Sequence, residues 1–429
     1  MTLTASQADW LRVRSYLQEH RHALAVDAAG DYPDERRMAG TPLLATPEWQ
    51  PAGPVPLHDI ELDFSATADP RGTHTRGTSH TRGTPPRTPG PWLPERPDGT
   101  RYRSYSEALR DLAAPAVFEN RPTYRLTEAD LTKPRLAFTR GRYFDGVDTG
   151  EAAAHEYAAT RLAGRDEHRR DEPSRDQPGP AGPRARIADP CDLSRRPANL
   201  AITTLTLRFD AASGRAWFLL HWRDPAKVGH AGGMYQVIPV GVFQPSGEAS
   251  WHEREDFSLW RCMLREFDEE LRGRPESTVD YDTWPFARHM AAALDRGQIR
   301  VWCLGLGVDP LTYATDLLTV AVIDSRVFDE LFSLDPRGND EGSVLAAREF
   351  AAHVIDRVVT TEPVQAAGAA VLRLAWRHRD TLTVLPRYPR PRYPRPWCPG
   401  PRGTTGQISM TTSSRTTWKA SYQFTVVGE

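Results

Sequence analysis

The sequence has few cysteines and no long hydrophobic run. Its four cysteines, Cys191, Cys262, Cys303 and Cys398, are far apart and form no paired metal-binding motif. We therefore predict reduced thiols and no structural zinc site. No apolar stretch reaches the length of a transmembrane helix, and the N-terminus lacks the apolar region of a signal peptide. These absences predict a cytoplasmic protein.

The sequence also lacks an excess of either charge. Lys and Arg together number 54, Asp and Glu together number 56, and the formal net charge is -2. Such a balance gives no electrostatic case for general binding to nucleic acid or to a membrane surface. Neither class of partner is therefore predicted.

An acidic helix is the most informative feature that is present. We predict this helix from about Phe257 to Arg272, because apolar residues recur on one face at three- and four-residue spacing. Glu266, Glu269 and Glu270 fall on one flank beside that face. Three carboxylates held this close repel one another unless a divalent cation, a nearby Arg or Lys, or water relieves the repulsion. The pattern predicts a platform for Mg²⁺ or Mn²⁺, and an ordinary solvated acidic face is the alternative.

The helix and the segment before it resemble the Nudix box of the Nudix hydrolase superfamily. That box reads Gly, five residues, Glu, seven residues, then Arg-Glu-aliphatic-any-Glu-Glu-any-Gly. Residues 265–270 match its second half, with Phe267 in the aliphatic position. Gly241 is similar to the leading glycine, and Glu248 is similar to the first Glu, one residue late. Sixteen residues separate Glu248 from Arg265 instead of seven, which indicates an insertion over 249–257, and the closing glycine, Gly273, is also one residue late.

The resemblance implies a chemistry for these residues. In the family, the box holds divalent ions that bind the diphosphate of a substrate and activate water. By position, Glu266, Glu269 and Glu270 are then the metal and catalytic residues, and Arg265 orients one of those carboxylates. Gly241 lets the backbone approach a phosphate, and Glu248 also belongs to the substrate-binding set. A plain turn glycine remains the alternative for position 241.

The resemblance extends over residues 189–378, which are similar to divergent Nudix-type proteins of actinobacteria. It implies hydrolysis, dependent on Mg²⁺ or Mn²⁺, of a nucleoside diphosphate linked to another moiety. The alternative is a catalytically inactive Nudix-fold protein that binds a nucleotide-like small molecule in a sensing or regulatory role. The intact acidic cluster favours the enzyme, and the insertion with the shifted Glu248 and Gly273 favours the alternative.

The fold class follows from the order of the predicted elements. Strands interspersed with helices after residue 190 predict a mixed sheet covered on both faces, an α/β/α sandwich, which is also the Nudix architecture. The predicted strands are 201–209, 216–222, 234–243, 300–305 and 317–324, and the predicted helices are 257–272, 284–296, 343–356 and 362–377.

Composition divides the chain into segments. Its 429 residues allow two or three domains, but 37 prolines indicate that part of it is not packed core. We predict an N-terminal helix and proline-rich segment (1–68), a flexible insert with Arg-Gly-Thr repeats (69–98), a small mixed subdomain (99–163), a linker (164–190), the Nudix-like domain (191–380) and a disordered Pro/Arg-rich tail (381–429).

Two helices are predicted in the N-terminal part. The first runs from about Ala5 to Ala29 and packs against the main domain. A DNA-binding module is the weaker alternative, because no second helix follows at the required spacing. The other helix lies near Thr149 to Ala163 and contains His155, which is predicted to be a surface or capped residue and not a ligand.

Overall fold

The computed structural model describes residues 3–65, 92–115, 117–167, 182–223, 232–275, 278–332, 342–344 and 347–383. All of these residues belong to one unit, Met1–Pro391. The Arg-Gly-Thr repeats, most of the predicted linker and nearly all of the predicted tail lie outside the described residues. The predicted segment boundaries remain predictions.

The centre of the fold is a pair of parallel strands. Strands β5 (Leu200–Asp210) and β11 (Thr315–Asp324) pair from Leu200 with Thr315 to Phe209 with Asp324. Both are buried along most of their length and rich in branched residues, as expected of strands covered on both faces. Around them the sheet continues in the order β1 (Val55–Pro56), β10 (Ile299–Val308), β11, β5, β6 (Arg215–Phe218) and β13 (Arg348–Glu349), and β9 (Val240–Val242) also pairs with β5. All of these other pairings are antiparallel, so the sheet is mixed, as predicted.

Helices approach this sheet from opposite faces. Gly241 on β9 lies opposite Ile202 on β5, and the missing side chain of Gly241 points at helix α7 (Leu259–Glu266). Leu317 on β11 pairs with Ile202, so it points to the same face as Gly241. Successive strand residues point to opposite faces, so the adjacent residue, Asp316, points to the opposite face of the sheet. There it lines a cavity with the start of helix α11 (Ala366–Arg377).

The N-terminal part contains helices and a small sheet. Helix α1 runs from Ala5 to Ala29, as predicted, and begins at Thr4, whose hydroxyl accepts from the amide of Gln7 in a capping box. It packs against α4 (Ala152–Glu167). Beside these helices lies a three-stranded sheet of order β2-β4-β3, with β2 parallel to β4.

The remaining elements have the following bounds. The strands are β1 Val55–Pro56, β2 Glu61–Ser65, β3 Pro122–Asp130, β4 Arg135–Arg142, β6 Arg215–Phe218, β7 Leu220–Arg223, β8 Tyr235–Val237, β9 Val240–Val242, β10 Ile299–Val308, β12 Gly342–Val344 and β13 Arg348–Glu349. The helices are α2 Tyr105–Ala113, α3 Tyr143–Gly146, α5 Pro183–Ile187, α6 Ser250–Glu255, α8 Pro285–Asp295, α9 Ser325–Leu331, α10 Ala352–Thr361 and α12 Arg379–Leu382. Within the described part of the chain, no helix is both long and apolar enough to cross a membrane.

Several predicted elements were wrong in extent. The predicted strand 234–243 is interrupted at Pro239, which has no amide hydrogen for a ladder, and its halves, β8 and β9, lie in different sheets. The predicted strand 216–222 divides in the same way into β6 and β7. The helix predicted over 343–356 begins only at Ala352, because residues 342–344 pair with β7.

His155 is buried, contrary to the prediction of a surface or capped residue. It is 4% exposed, and its ring stacks on Trp10 at 5.0 Å between centroids. Burial and the nearby charge of Arg14 lower the pKa of His155 to about 3, so the imidazole is neutral. Its position follows from the packing of α4 on α1, which the pattern of α4 alone does not reveal.

Candidate functional site

The predicted site lies where β9 leads through a loop and α6 into the acidic helix. Ser258 begins this helix, and its hydroxyl accepts from the amide of Arg261 at 3.3 Å. The α-helical part ends at Glu266, and one π-helical turn, Phe267–Leu271, completes it. The predicted helix is therefore present, and it begins two residues later than predicted. Its apolar face is buried, as the spacing predicted, through Leu264, Phe267 and Leu271.

Two of the three glutamates lie against strand β9. A Cβ atom added to Gly241 would lie 1.9 Å from the carboxylate carbon of Glu266, so the absence of a side chain at 241 makes room for that carboxylate. One turn later, Oε1 of Glu270 accepts from the amide of Val240 at 3.3 Å. Gly241 was predicted to approach a phosphate, and in this structure the Glu266 carboxylate lies there.

The third glutamate, Glu269, is less enclosed than Glu270. Glu269 is half-buried, whereas Glu270 is only 7% exposed. Asp268 forms an ion pair with Arg272, and burial raises the pKa of Asp268 above its usual value despite that cation. The three glutamates thus share one helix but differ in burial.

Arg265 makes its contacts with the segment before the helix. Its guanidinium donates to Oδ1 of Asp256 at 3.1 Å, to the carbonyl of Gln244 at 2.6 Å, and to the hydroxyl of Tyr281. Burial lowers the pKa of Arg265, but the neighbouring thiol Cys262, Tyr281 and Asp256 outweigh burial and raise it. The role predicted for Arg265, orienting one of the glutamates, remains a prediction.

Asp256 is the residue that the sequence analysis missed. It is 2% exposed, and besides Arg265 it accepts from the hydroxyl of Tyr281 and from both the amide and the hydroxyl of Ser246. The spacing held a signal: eight residues separate Asp256 from Arg265, close to the seven of the Nudix box. We call Ser246, Asp256, Arg265 and Tyr281 the Asp256 cluster.

Glu248 lies apart from this cluster. Its side chain is 79% exposed, and it forms an ion pair of 3.6 Å with Arg142, which is itself about half exposed. An exposed pair of this length contributes little to stability. The structure therefore brings Arg265, Glu266, Glu270 and Gly241 together and leaves Glu248 at the surface.

The fit of these residues to a divalent ion is incomplete. Carboxylate oxygens suit Mg²⁺ or Mn²⁺ by their chemistry. However, within the described residues no group of three or more His, Cys, Asp or Glu side chains is arranged to hold a metal ion. The donor set agrees with the expected cofactor, and the arrangement of the donors does not.

A second polar feature lies on the opposite face of the sheet. A small cavity there is bounded by Arg21 of α1, Asp309, Thr312, Asp316 and the start of α11. Asp316 accepts from the hydroxyl of Thr203 at 2.7 Å. Burial raises the pKa of Asp316 to about 7, and the nearby Asp309 adds to the shift.

The described cysteines offer no reactive group at the site. Cys191, Cys262 and Cys303 are buried free thiols, as predicted, and Cys398 lies outside the described residues. Burial raises the pKa of both Cys262 and Cys303 to about 12, so neither is a thiolate at neutral pH.

Comparison with known proteins finds matches among solved structures alone. No family model and no curated protein matches the chain. A NUDIX hydrolase from Alicyclobacillus acidocaldarius is 17% identical, and the match covers 43% of this chain and 95% of that chain with a TM-score of 0.26. A MutT/nudix family protein from Enterococcus faecalis is 12% identical, with 52% of this chain and 69% of that chain covered and a TM-score of 0.25. Values this low carry no conclusion about this chain by themselves.

Proposed function

We propose that this protein is a Nudix-type hydrolase of a nucleoside diphosphate linked to another moiety. The observation that carries the proposal is the position of Glu266 and Glu270, which lie one turn apart on the acidic helix and both face strand β9. That is the strand-loop-helix arrangement that the sequence resemblance implies. The proposed architecture is a Nudix-like α/β/α sandwich with an N-terminal mixed subdomain, in agreement with helices on opposite faces of the mixed sheet.

The proposal assigns roles only to groups that the chain supplies. Glu266 and Glu270 place negative charge beside β9, and Glu269 adds a carboxylate on the same helix that is less buried than Glu270. Mg²⁺ or Mn²⁺ is the proposed cofactor, with Glu266, Glu269 and Glu270 as its proposed ligands. We assign no reaction step to the ion, because the three carboxylates do not converge in this structure. Cytoplasmic location and affinity with actinobacterial proteins remain predictions.

The test is product release from a panel of nucleoside diphosphate derivatives in the presence of Mg²⁺ or Mn²⁺. Wild-type protein is compared with Glu270→Gln, which retains an oxygen for the Val240 amide but removes the charge. Glu255→Gln is the matched control, because Glu255 is exposed on α6. We expect release of phosphate or a nucleoside monophosphate by the wild type and the control, and its loss in Glu270→Gln. Equal turnover by all three proteins would contradict the assigned carboxylate.

A second candidate function is binding of a nucleotide-like ligand without hydrolysis. The absence, within the described residues, of a group of three acidic or other metal-binding side chains around one point favours it. In that case the wild type releases no product from any member of the panel, and a panel member still raises the melting temperature. Stabilisation by Mg²⁺ or Mn²⁺ that disappears in Glu269→Gln and Glu270→Gln would instead support the hydrolase.

A further inference from the structure

The insertion that separates Glu248 from Arg265 is firmly attached at two places. On one side, Arg140 of β4 donates two hydrogen bonds of 2.7 Å to the carboxylate of Glu253 on α6. The hydroxyl of Tyr124 on β3 donates to the carbonyl of Glu253 at 2.9 Å. On the other side, Asp256 contacts Arg265 in the middle of the acidic helix. The insertion therefore connects the small N-terminal sheet to this helix.

Asp256 has a fixed orientation because donors surround both of its oxygens. Oδ1 accepts from Arg265 at 3.1 Å and from Tyr281 at 2.8 Å. Oδ2 accepts from the amide and hydroxyl of Ser246 at 2.8 and 2.7 Å. A buried carboxylate held by four donors cannot turn without losing several charge-assisted hydrogen bonds. Its guanidinium partner is fixed as a consequence.

Arg265 transmits this constraint to the predicted site. Its guanidinium also donates to the carbonyl of Gln244, in the loop that follows β9, so it joins the strand, the insertion and the helix. Glu266 is the next residue along the chain, and its carboxylate lies over Gly241. The position of the helix on β9 thus depends on where Arg265 is held.

Exposure and spacing both distinguish Asp256 from Glu248. Asp256 is 2% exposed and contacts Arg265, whereas the Glu248 side chain is 79% exposed and pairs with Arg142. Eight residues separate Asp256 from Arg265, against sixteen for Glu248. We propose that Asp256, and not Glu248, is the acidic residue that positions Arg265 and the acidic helix for the site. The positioning role rests on the proposed hydrolase function, and the pairing itself does not.

Loss of the Asp256 charge would change the partner of Arg265. Residues four apart on a helix are neighbours, so a guanidinium released at position 265 is attracted to Glu269. That contact would neutralise one carboxylate of the site. In this proposal Asp256 positions Arg265 and competes with Glu269 for its guanidinium.

The first experiment separates positioning from stability. With the panel substrate that the wild type hydrolyses, we expect kcat of Asp256→Asn to fall about 10- to 100-fold with little change in KM, the range for partners that orient reacting groups. Asp256→Glu, which keeps the charge, should regain part of this loss. Tyr281→Phe removes the two hydrogen bonds of the Tyr281 hydroxyl but leaves the ion pair between Asp256 and Arg265, so it should lower the melting temperature with kcat within twofold of wild type. Glu248→Gln should change neither. Equal losses of kcat in Asp256→Asn and Tyr281→Phe would overturn the positioning role.

The second experiment needs no activity. A double-mutant cycle on the melting temperature pairs Asp256→Asn with Arg265→Lys, and a parallel cycle pairs Glu248→Gln with Arg265→Lys. We expect non-additive shifts in the first cycle and additive shifts in the second. Additivity in the first cycle would overturn the assignment, even if the wild type proves to be a hydrolase. If the wild type hydrolyses no panel substrate, the proposed function and the positioning role fail, and the cycle still decides the pairing.

Discussion

This protein contains two buried clusters of charged side chains, each built around one carboxylate, and they differ in the number of guanidiniums that contact it. In the Asp256 cluster, one carboxylate meets one guanidinium, and hydroxyl and amide groups also donate to it. In the second cluster, which we call the Glu151 cluster, Arg14 and Arg21 of α1 both donate to Glu151. All three side chains are more than nine-tenths buried.

The two clusters also differ in what they join. Asp256 and Arg265 are nine residues apart and fix the entry to one helix. Glu151 lies 137 residues from Arg14 and 130 from Arg21, and it fixes α1 against the start of α4. Burial lowers the pKa of Arg14, but Tyr105 and Glu151 outweigh burial and raise it. The local cluster therefore shapes the candidate site, and the distant cluster holds the N-terminal helix in place.

The largest effect on stability is expected at Glu151. We expect Glu151→Gln to destabilise the protein by about 3–5 kcal/mol, because it leaves two buried guanidiniums without their carboxylate. Denaturant unfolding measures the change. Glu19→Gln on the exposed face of α1 is the control, with an expected effect within about 0.5 kcal/mol. Similar values for the two variants would show that the Glu151 cluster is not essential to the attachment of α1.

At the acidic helix, Gly241→Ala is the test that corresponds to Glu151→Gln. The added methyl group would overlap the Glu266 carboxylate, and overpacking of this kind costs about 1–3 kcal/mol. Gly53→Ala is the matched control, because a Cβ at Gly53 has no neighbour within 4 Å. Thermal unfolding of both variants measures the difference. An Ala variant at 241 as stable as the one at 53 would show that Glu266 does not depend on this close approach.

Asp316 tests a buried carboxylate that accepts a hydrogen bond from a hydroxyl, that of Thr203. Its pKa is raised to about 7, above the ordinary value near 3.8, so the folded state holds its proton more tightly than the unfolded state. Stability from this group is full below about pH 4 and is lost as pH rises through 7, by at most about 1.4 kcal/mol per pH unit. We expect Asp316→Asn to remove this decline and to exceed the wild type in stability at pH 8. Parallel curves of melting temperature against pH would contradict the shift.

The smallest effect is expected at Glu248. Its exposed pair with Arg142 predicts a change of no more than about 0.5 kcal/mol for Glu248→Gln. Chemical denaturation measures it, with Asp256→Asn as the contrasting variant. A larger loss in Glu248→Gln than in Asp256→Asn would reverse the roles that we assign to the two residues.

Local patterns predicted much of the fold. The helix Ala5–Ala29 has the predicted bounds, and the acidic helix is present with its apolar face buried. Five predicted strands correspond to strands of the structure, although two of them divide between sheets. The division was not predictable from hydrophobic pattern, because only the apolar residue Leu219 separates β6 from β7, and the strands they pair with decide which sheet each joins.

The candidate site was predicted in part, from local spacing. Glu266, Glu270 and Gly241 were identified by spacing along one strand and one helix, and the structure brings them together. Asp256 was missed because an insertion displaced it from the expected motif. Glu248 was chosen because it lies only one residue later than the motif expects after Gly241. Burial distinguishes these two acids, and burial depends on contacts with Ser246 and Tyr281.

The sequence by itself determined the features that depend on neighbours within a few residues. These are the helix starts at Thr4 and Ser258, the apolar faces of the helices, and the three glutamates on one flank, since a helical turn spans only about four residues. The tertiary structure alone decided which charges meet: Arg265 with Asp256, Arg14 and Arg21 with Glu151, and Asp316 with a hydroxyl. The energy of a charged group depends on its partner and on its burial, and both are set only when distant segments pack together.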